Sequence, residues 1–246
     1  MNVLYVYAHP EAKSLNSQLM QSAFDALAGG GHEVMQSDLH AMSFTAVHGR
    51  IDFETVGDAD VFRYGAEQQH ATRKNGFAAD IQAEIDKLYA CDMLILQFPL
   101  WWFSVPAILK GWFDRVFAAG VVYDGDNRYG NGRLKGRRAM CVITMGARES
   151  AFMADGRHGD LLVNLWPIHN GCLHYLGFDV LPPFVLYRTS YLSDAERRQY
   201  VNEYSDYLQN IDTLKPLYFH PDDDFDVDGR LRPGIDGGTR AQRRLR

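Results

Sequence analysis

Three runs of residues in this sequence could together bind a flat aromatic ligand. The most distinctive is residues 97–103, QFPLWWF, where Pro99 is followed by Leu100, Trp101, Trp102 and Phe103. Loops are normally polar, so bulky apolar side chains in a loop suggest a wall for a flat ring such as an isoalloxazine. A hydrophobic plug or a subunit interface explains the run equally well when only the residue types are considered.

The second run, residues 9–16, has the composition of an anion site at the start of a helix. Ser14 is a good helix cap, and the amides of Leu15 and Asn16 would then lie at the positive end of the helix, with His9 before them. Neither G-x-G-x-x-G nor G-x-x-x-x-G-K-[ST] is present. A capped surface helix explains these residues about as well as phosphate binding does.

The third run, Thr144, Met145, Gly146 and Ala147, leads on to His158. Gly146 permits close approach of the backbone, and exposed amides beside it could donate hydrogen bonds to a ring carbonyl. His158 could stabilise negative charge on a reduced cofactor. A single histidine at the start of a helix is more often structural.

The elements that must position these runs alternate between strand and helix. Apolar runs predict strands, and apolar residues at helical spacing predict helices. One of the predicted helices is expected to be kinked at Pro167. Residues 40–75 show weak periodicity and no regular element. Ser104 is expected to cap the third helix, with Pro106 in its first turn. The predicted strands are 2–8, 33–38, 93–98, 138–144 and 180–187, and the predicted helices are 15–27, 78–89, 104–117, 160–175 and 193–209.

This alternation predicts an α/β, flavodoxin-like three-layer sandwich: a five-stranded parallel sheet of order 2-1-3-4-5 with helices on both faces. In such a sheet a ligand lies beyond the carboxyl ends of strands 1, 3 and 4, where the three runs are found. We expect one domain over residues 1–215 and a C-terminal extension over 216–246. Its far end, residues 240–246, is basic and expected to be disordered.

Composition excludes several classes of function. The net charge of −6 argues against a nucleic-acid partner. Three dispersed cysteines predict neither disulfides nor a zinc knuckle, and no apolar run is long enough for membrane insertion, so a cytoplasmic location is expected. We expect no metal: His169 and His174 are five residues apart, and the calcium-like run that starts at Asp224 has Ile235 at its twelfth position.

Residues 97–117, QFPLWWFSVPAILKGWFDRVF, resemble the signature of the NAD(P)H:quinone oxidoreductases of the DT-diaphorase type. Supporting matches are AHP at 8–10, SLN at 14–16, SDL at 37–39, HGD at 158–160, LWPI at 165–168 and PLYF at 216–219. The resemblance extends from residue 1 to about residue 225.

The resemblance implies a homodimer with its active sites at the interface and non-covalent FAD, with FMN the less favoured flavin. It implies ping-pong hydride transfer from NAD(P)H through flavin N5 to a quinone-like acceptor. Tyr123 would line the acceptor site from the partner subunit, and His158 would stabilise charge on the flavin. The implied flavin contacts are His9, Ser14, Leu15, Asn16, Pro99, Leu100, Trp101, Trp102, Phe103, Thr144, Met145, Gly146, Ala147, Phe152, Arg197 and Val201.

The sequence departs from the family at three positions. Phe152 stands where the family has a tyrosine that shares charge with the histidine, so one hydroxyl donor is missing. Arg63 replaces an amide side chain, and Gly125 replaces a second tyrosine in the glycine-rich loop. Acceptor specificity is therefore expected to differ. Two other functions stay open: an azo- or nitro-compound reductase, and a flavin-binding regulatory subunit of the kind associated with bacterial potassium efflux.

Overall fold

The computed structural model describes residues 1–237 and has the predicted layered architecture. All paired strands of its sheet run parallel, in the order β2-β1-β3-β4-β5, with β6 also paired to β4. The predicted strand order is confirmed, with six strands in place of five. The strands are β1 Asn2–Tyr7, β2 Glu33–Asp38, β3 Met93–Pro99, β4 Arg138–Thr144, β5 Asp179–Val180 and β6 Phe184–Leu186.

The central strands are apolar because both of their faces are covered. All seven residues of β3 are buried, and five of the six residues of β1 are buried. Strands buried on both faces read as continuous apolar runs, which is why the sequence pattern located them well. One face packs under α3, α4 and the segment 161–176, and the other packs under α1 and α7. The α-helices are α1 Leu15–Gly29, α2 Tyr64–Lys74, α3 Ala79–Ala90, α4 Ala107–Val116, α5 Leu161–Asn164, α6 Trp166–Ile168 and α7 Asp194–Gln209.

The predicted strand 180–187 is divided in two. Pro182 and Pro183 lie between β5 and β6 and have no N–H group to donate to a neighbouring strand. β5 therefore pairs with the first residues of β4, and β6 pairs with its last three.

Two long helices begin at serine caps. The Ser14 hydroxyl accepts a hydrogen bond from the Ser17 amide at 3.1 Å, as predicted. Ser193 forms a capping box with Glu196 at the start of α7. The prediction that Ser104 caps α4 is wrong, since the capping position is Pro106, one residue before the helix.

Short 3₁₀ helices cover Arg50–Asp52, Tyr129–Asn131, Glu149–Phe152, His174–Leu176, Thr189–Tyr191, Ile211–Thr213 and Asp222–Asp224.

The prediction of a single kinked helix over 160–175 is wrong, because several short helical segments replace it. Asp160 caps α5, which ends at Asn164, and α6 begins immediately before Pro167. A π-helical turn, His169–Leu173, follows and leads into a 3₁₀ turn that ends at Gly177, whose φ is 99°. Proline removes one helical hydrogen bond, and the π turn accommodates an extra residue, so the helical register changes twice within sixteen residues.

Residues 40–75 contain a helix that the sequence pattern did not indicate. α2 presents mostly polar residues, which gave no apolar stripe. The long connection before it is held by Arg115 of α4, which is buried and forms an ion pair with buried Asp52 at 3.0 Å. The Arg115 guanidinium also donates to the carbonyl oxygen of Thr45 at 2.9 Å and to Asp80 at 3.1 Å.

The residues after α7 pack against the rest of the chain as far as the structure describes them. The Leu217 amide donates to the Val180 carbonyl at 2.7 Å, and the Phe219 ring stacks on His174 at 4.3 Å. The predicted disorder of residues 240–246 lies outside the described residues, and the domain boundary at residue 215 stays a prediction. Within residues 1–237, no helix is long and apolar enough to cross a membrane.

We predict that Arg115→Met lowers the free energy of unfolding by about 3–5 kcal/mol, because it leaves the Asp52 carboxylate buried without its counter-charge. Urea unfolding measures the loss. Lys110→Met is the matched control, because Lys110 and its partner Asp114 are both exposed, and it should change stability by less than about 1 kcal/mol. Equal effects of the two substitutions would contradict this account of the connection.

Candidate active site

The three ligand-binding runs meet at the carboxyl edge of the sheet. The parallel register of β1, β3 and β4 ends all three strands at the same edge. Backbone hydrogen bonds continue beyond the strands: the Ala8 amide donates to the Gln97 carbonyl at 3.0 Å, and the Leu100 amide donates to the Thr144 carbonyl at 2.8 Å. The three loops therefore form one continuous surface.

The aromatic loop is a two-residue hairpin with an unfavourable backbone. Trp101 and Ser104 exchange two backbone hydrogen bonds, at 3.1 and 3.0 Å. The two residues between them, Trp102 and Phe103, have φ of 51° and 60°. Turns with positive φ at both central positions favour Asn and Gly, and bulky residues there cost about 1–2 kcal/mol each. The Trp102 side chain is 95% exposed, so packing does not offset the strain at this residue, whereas Phe103 packs against Phe152 and His158.

His9 lies beside this loop. Its ring centroid is 6.4 Å from Trp101, and its Nδ1 is 3.2 Å from the Glu11 amide. Burial lowers the pKa of His9, so the ring is neutral at neutral pH. The amide contact then makes Nδ1 the acceptor and leaves Nε2 as a donor.

His158 belongs to a cluster of three rings. Its centroid lies 5.1 Å from Phe103 and 5.0 Å from Phe152, and the two phenylalanines are 6.0 Å apart. The backbone is held by the His158 amide, which donates to the Ala151 carbonyl at 2.8 Å, and by Asn164, which donates to the His158 carbonyl at 2.9 Å. The imidazole is thus kept next to the aromatic loop, with the apolar Phe152 as its neighbour.

The floor between the loops is polar and buried. The Asn16 side-chain amide contacts the Thr144 hydroxyl at 3.0 Å, which joins the start of α1 to the end of β4. Gln97, near the end of β3, donates to the Asn16 carbonyl at 2.7 Å. Gln97 was in the motif but was not assigned to the site from the sequence, because its side chain could not be distinguished from an ordinary strand residue.

Each loop presents backbone N–H groups that have no acceptor among the described residues. These are the amides of Leu15 and Asn16 at the start of α1, Trp102 and Phe103 in the hairpin, and Gly146 and Ala147 after β4. A flat ring with carbonyl oxygens and an attached phosphate needs such donors, and amides at a helix start bind anions well. A Cβ added at Gly146 would meet no atom within 4 Å, so the backbone there is open to a ligand.

Arg197 and Val201 lie on α7, which packs along α1. The Ser22 hydroxyl reaches the Val201 carbonyl at 3.5 Å, and the Arg197 side chain donates to the Leu192 carbonyl at 3.3 Å. A cleft of about 310 Å³ that the sequence did not predict lies along other residues of α7, and Arg197 and Val201 do not line it. Its lining residues are Glu149, Tyr187, Arg188, Leu192, Glu196, Gln199, Tyr200 and Glu203. The loop after β6 is tied to the third loop, since the Arg188 amide donates to the Ala147 carbonyl at 3.0 Å.

Tyr123 does not join the other candidate residues in this chain. Its ring contact among the described residues is with Tyr175 at 5.7 Å, and it lines a separate cavity of about 490 Å³ with Lys110 and Phe117. Burial raises the pKa of the Tyr123 hydroxyl, so it stays protonated. Its predicted role depends on a partner subunit and stays a prediction.

Metal binding has no geometric basis in the part of the chain that the structure describes, where no three His, Cys, Asp or Glu side chains are grouped to hold an ion. In the calcium-like run, Asp226 Oδ1 accepts hydrogen bonds from the Asp228 and Arg230 amides. The carboxylate therefore stabilises a turn.

Comparisons with known proteins agree with this geometry. A family model for the flavodoxin-like fold matches residues 1–208. NAD(P)H dehydrogenase (quinone) 1 of Cavia porcellus is 40% identical over 225 residues, which cover 91% of this chain and 82% of the relative. The chain belongs to the NAD(P)H:quinone oxidoreductase family. The flavodoxin-like fold predicted from the sequence is confirmed.

Two further relatives match this chain over nearly their whole length. Ribosyldihydronicotinamide dehydrogenase (quinone) of Homo sapiens is 40% identical over 216 residues, which cover 87% of this chain and 94% of that protein. A solved structure from Klebsiella pneumoniae, assigned as a quinone reductase, superposes with a TM-score of 0.92 at 36% identity and covers 98% of this chain and 99% of that one. The similarity to these proteins therefore extends well beyond the motif at residues 97–117.

We predict that two substitutions that remove the Trp102 ring differ in stability but not in flavin binding. Trp102→Gly should raise the free energy of unfolding by about 1 kcal/mol over Trp102→Ala, because glycine adopts φ near 50° without strain. Both substitutions should weaken flavin binding to the same extent, since both remove the ring. Urea unfolding and flavin titration measure the two effects. Tight flavin binding by both variants would show that the ring is not part of the site.

Proposed function

We propose that this protein is an FAD-dependent NAD(P)H:quinone oxidoreductase that transfers two electrons as a hydride in a ping-pong cycle. The observation that carries the proposal is the meeting of an aromatic wall with three sets of unpartnered backbone amides at one edge of the sheet. A flavin accepts hydride from a reduced nicotinamide and passes it to an acceptor. The family relationship supports the same chemistry.

The residues of the site fit a flavin in three respects. The Leu15 and Asn16 amides at the start of α1 suit a phosphate. The Gly146 and Ala147 amides suit the carbonyl oxygens at one edge of the ring. The aromatic hairpin supplies an apolar surface that keeps water away from the reacting face.

FAD is favoured over FMN because the site continues beyond the ring. The cleft of about 310 Å³ at the start of α7 offers space for the adenosine half. Arg188 lines the cleft and provides a positive charge there. Carboxylates that line the cleft, such as Glu149 and Glu203, can accept hydrogen bonds from ribose hydroxyls.

His158 is proposed to stabilise negative charge on the reduced ring, together with the backbone amides of the third loop. Its ring is held against Phe103 and Phe152. Because Phe152 has no hydroxyl, these donors must act without the help of a second side chain at that position. We therefore expect the protein to favour acceptors that are reduced readily.

A homodimer is proposed because a second chain would cover the exposed aromatic wall and would supply its Tyr123 to the site. The exposed Trp101, Trp102 and Phe103 rings leave one side of the site open. Tyr123 is on a different surface of the same chain, as expected of a residue that serves the partner's site.

A cytoplasmic location is supported by the three cysteines, all free in the structure. No nucleic-acid partner is proposed.

Anaerobic mixing of the flavin-loaded protein with NADH or NADPH tests the function. We predict bleaching of the visible flavin absorbance, followed by recovery when a quinone is added. The absence of bleaching with either nucleotide would contradict the enzyme and favour a regulatory flavoprotein. Recovery with an azo or nitro compound but not with a quinone would change the proposed acceptor.

Releasing the flavin by heat and separating it by chromatography identifies the cofactor. We predict FAD. FMN alone would contradict the assignment of the α7 cleft to the adenosine and would leave the ring site unchanged.

A further inference from the structure

Gln97 lies at the centre of a buried hydrogen-bond network below the three loops. Its side chain is completely buried. Its Oε1 accepts from the Tyr5 hydroxyl, and its Nε2 donates to the Asn16 carbonyl at 2.7 Å and to Asn16 Oδ1 at 3.3 Å. Tyr5 continues the network to Tyr204 of α7, whose hydroxyl oxygen is 3.1 Å away.

The orientation of the Gln97 amide is fixed by its neighbours. The Asn16 carbonyl can only accept, so the nitrogen of Gln97 must face it. Burial raises the pKa of Tyr5 well above its ordinary value and also raises that of Tyr204, so both hydroxyls keep their protons. The Tyr5 hydroxyl is therefore always available to donate to Oε1.

This orientation in turn fixes the side chain of Asn16. Because Gln97 donates toward Asn16 Oδ1, the Asn16 nitrogen is the other end of the amide, and it contacts the Thr144 hydroxyl oxygen at 3.0 Å. An amide nitrogen has two protons, and Thr144 uses one of them. The Thr144 hydroxyl in turn donates toward Asn16 Oδ1 at 3.2 Å. The Asn16 oxygen is therefore occupied by Gln97 and Thr144, and the second N–H of the Asn16 amide is the donor left for a ligand.

We propose that Gln97 is a positioning residue that orients the Asn16 amide so that the floor of the site donates hydrogen bonds to a bound flavin. The inference rests on the proposed function, because it needs the flavin at this edge of the sheet. Gln97 itself lies below Asn16 and acts through it. A merely structural role would give a loss of stability with no change in flavin affinity.

Removing the amide tests the inference. We predict that Gln97→Leu raises the dissociation constant of FAD for the apoprotein at least about tenfold, as measured by quenching of flavin fluorescence. Tyr204→Phe is the matched control: it deletes a buried hydroxyl from the same network but leaves the bond from Tyr5 to Gln97 in place. It should lower the melting temperature and change the FAD dissociation constant less than about twofold.

The Gln97→Glu variant tests the inference through the pH dependence of FAD binding. Its ionised carboxylate cannot donate to the Asn16 carbonyl, whereas the protonated acid donates to Asn16 and accepts from Tyr5 as the amide does. Burial raises the pKa of such a carboxyl. The ratio of FAD dissociation constants, variant over wild type at the same pH, should therefore fall toward one between pH 8 and pH 5.5.

Two results would overturn the inference: wild-type FAD affinity in a folded Gln97→Leu variant, or a Gln97→Glu ratio that does not change with pH. If Gln97→Leu does not fold, as judged by circular dichroism, the Gln97→Glu ratio alone decides. Failure of the wild-type protein to bind FAD or FMN is a different outcome. It would overturn the proposed function and this inference with it.

Discussion

The parallel pairing of β1, β3 and β4 is the constraint on which the site depends. Parallel strands place their carboxyl ends at the same edge, so residues almost 130 positions apart, such as Asn16 and Thr144, come within 3.0 Å. The loops that leave this edge cannot satisfy all of their backbone amides by continuing the sheet. The amides that remain, at Leu15, Phe103, Gly146 and their neighbours, are donors without acceptors, which is the property an anionic, carbonyl-rich cofactor requires.

The second property of the site is a loop with an unfavourable backbone, in which Trp102 would gain contacts from a ligand or a partner. Two bulky residues, Trp102 and Phe103, occupy left-handed backbone conformations, and Trp102 contributes almost no burial in the single chain. Such strain is concentrated at functional sites. The floor below the loop differs, since Gln97 is buried with both ends of its amide hydrogen-bonded. A rigid polar floor and an exposed aromatic wall thus face the same space.

Much of the fold could be predicted from the sequence because buried parallel strands are uniformly apolar. The pattern located β1 and β3 to within a residue and gave the strand order. It failed where local chemistry overrides periodicity: Pro182 and Pro183 divide the last strand, Pro167 and a π turn break the long helix, and polar α2 has no apolar stripe. The family motif indicated the three loops, whereas the role of Gln97 depends on its contact with Asn16, which no sequence pattern reveals.

Amide chemical shift mapping by NMR, as FAD is added to the apoprotein, tests most directly whether the unpartnered loop amides bind the cofactor. We predict the largest shift changes, and slower hydrogen exchange, at the Leu15, Asn16, Trp102, Phe103, Gly146 and Ala147 amides. FAD binding that leaves these amides unchanged, with the shifts gathered on another surface, would contradict this prediction.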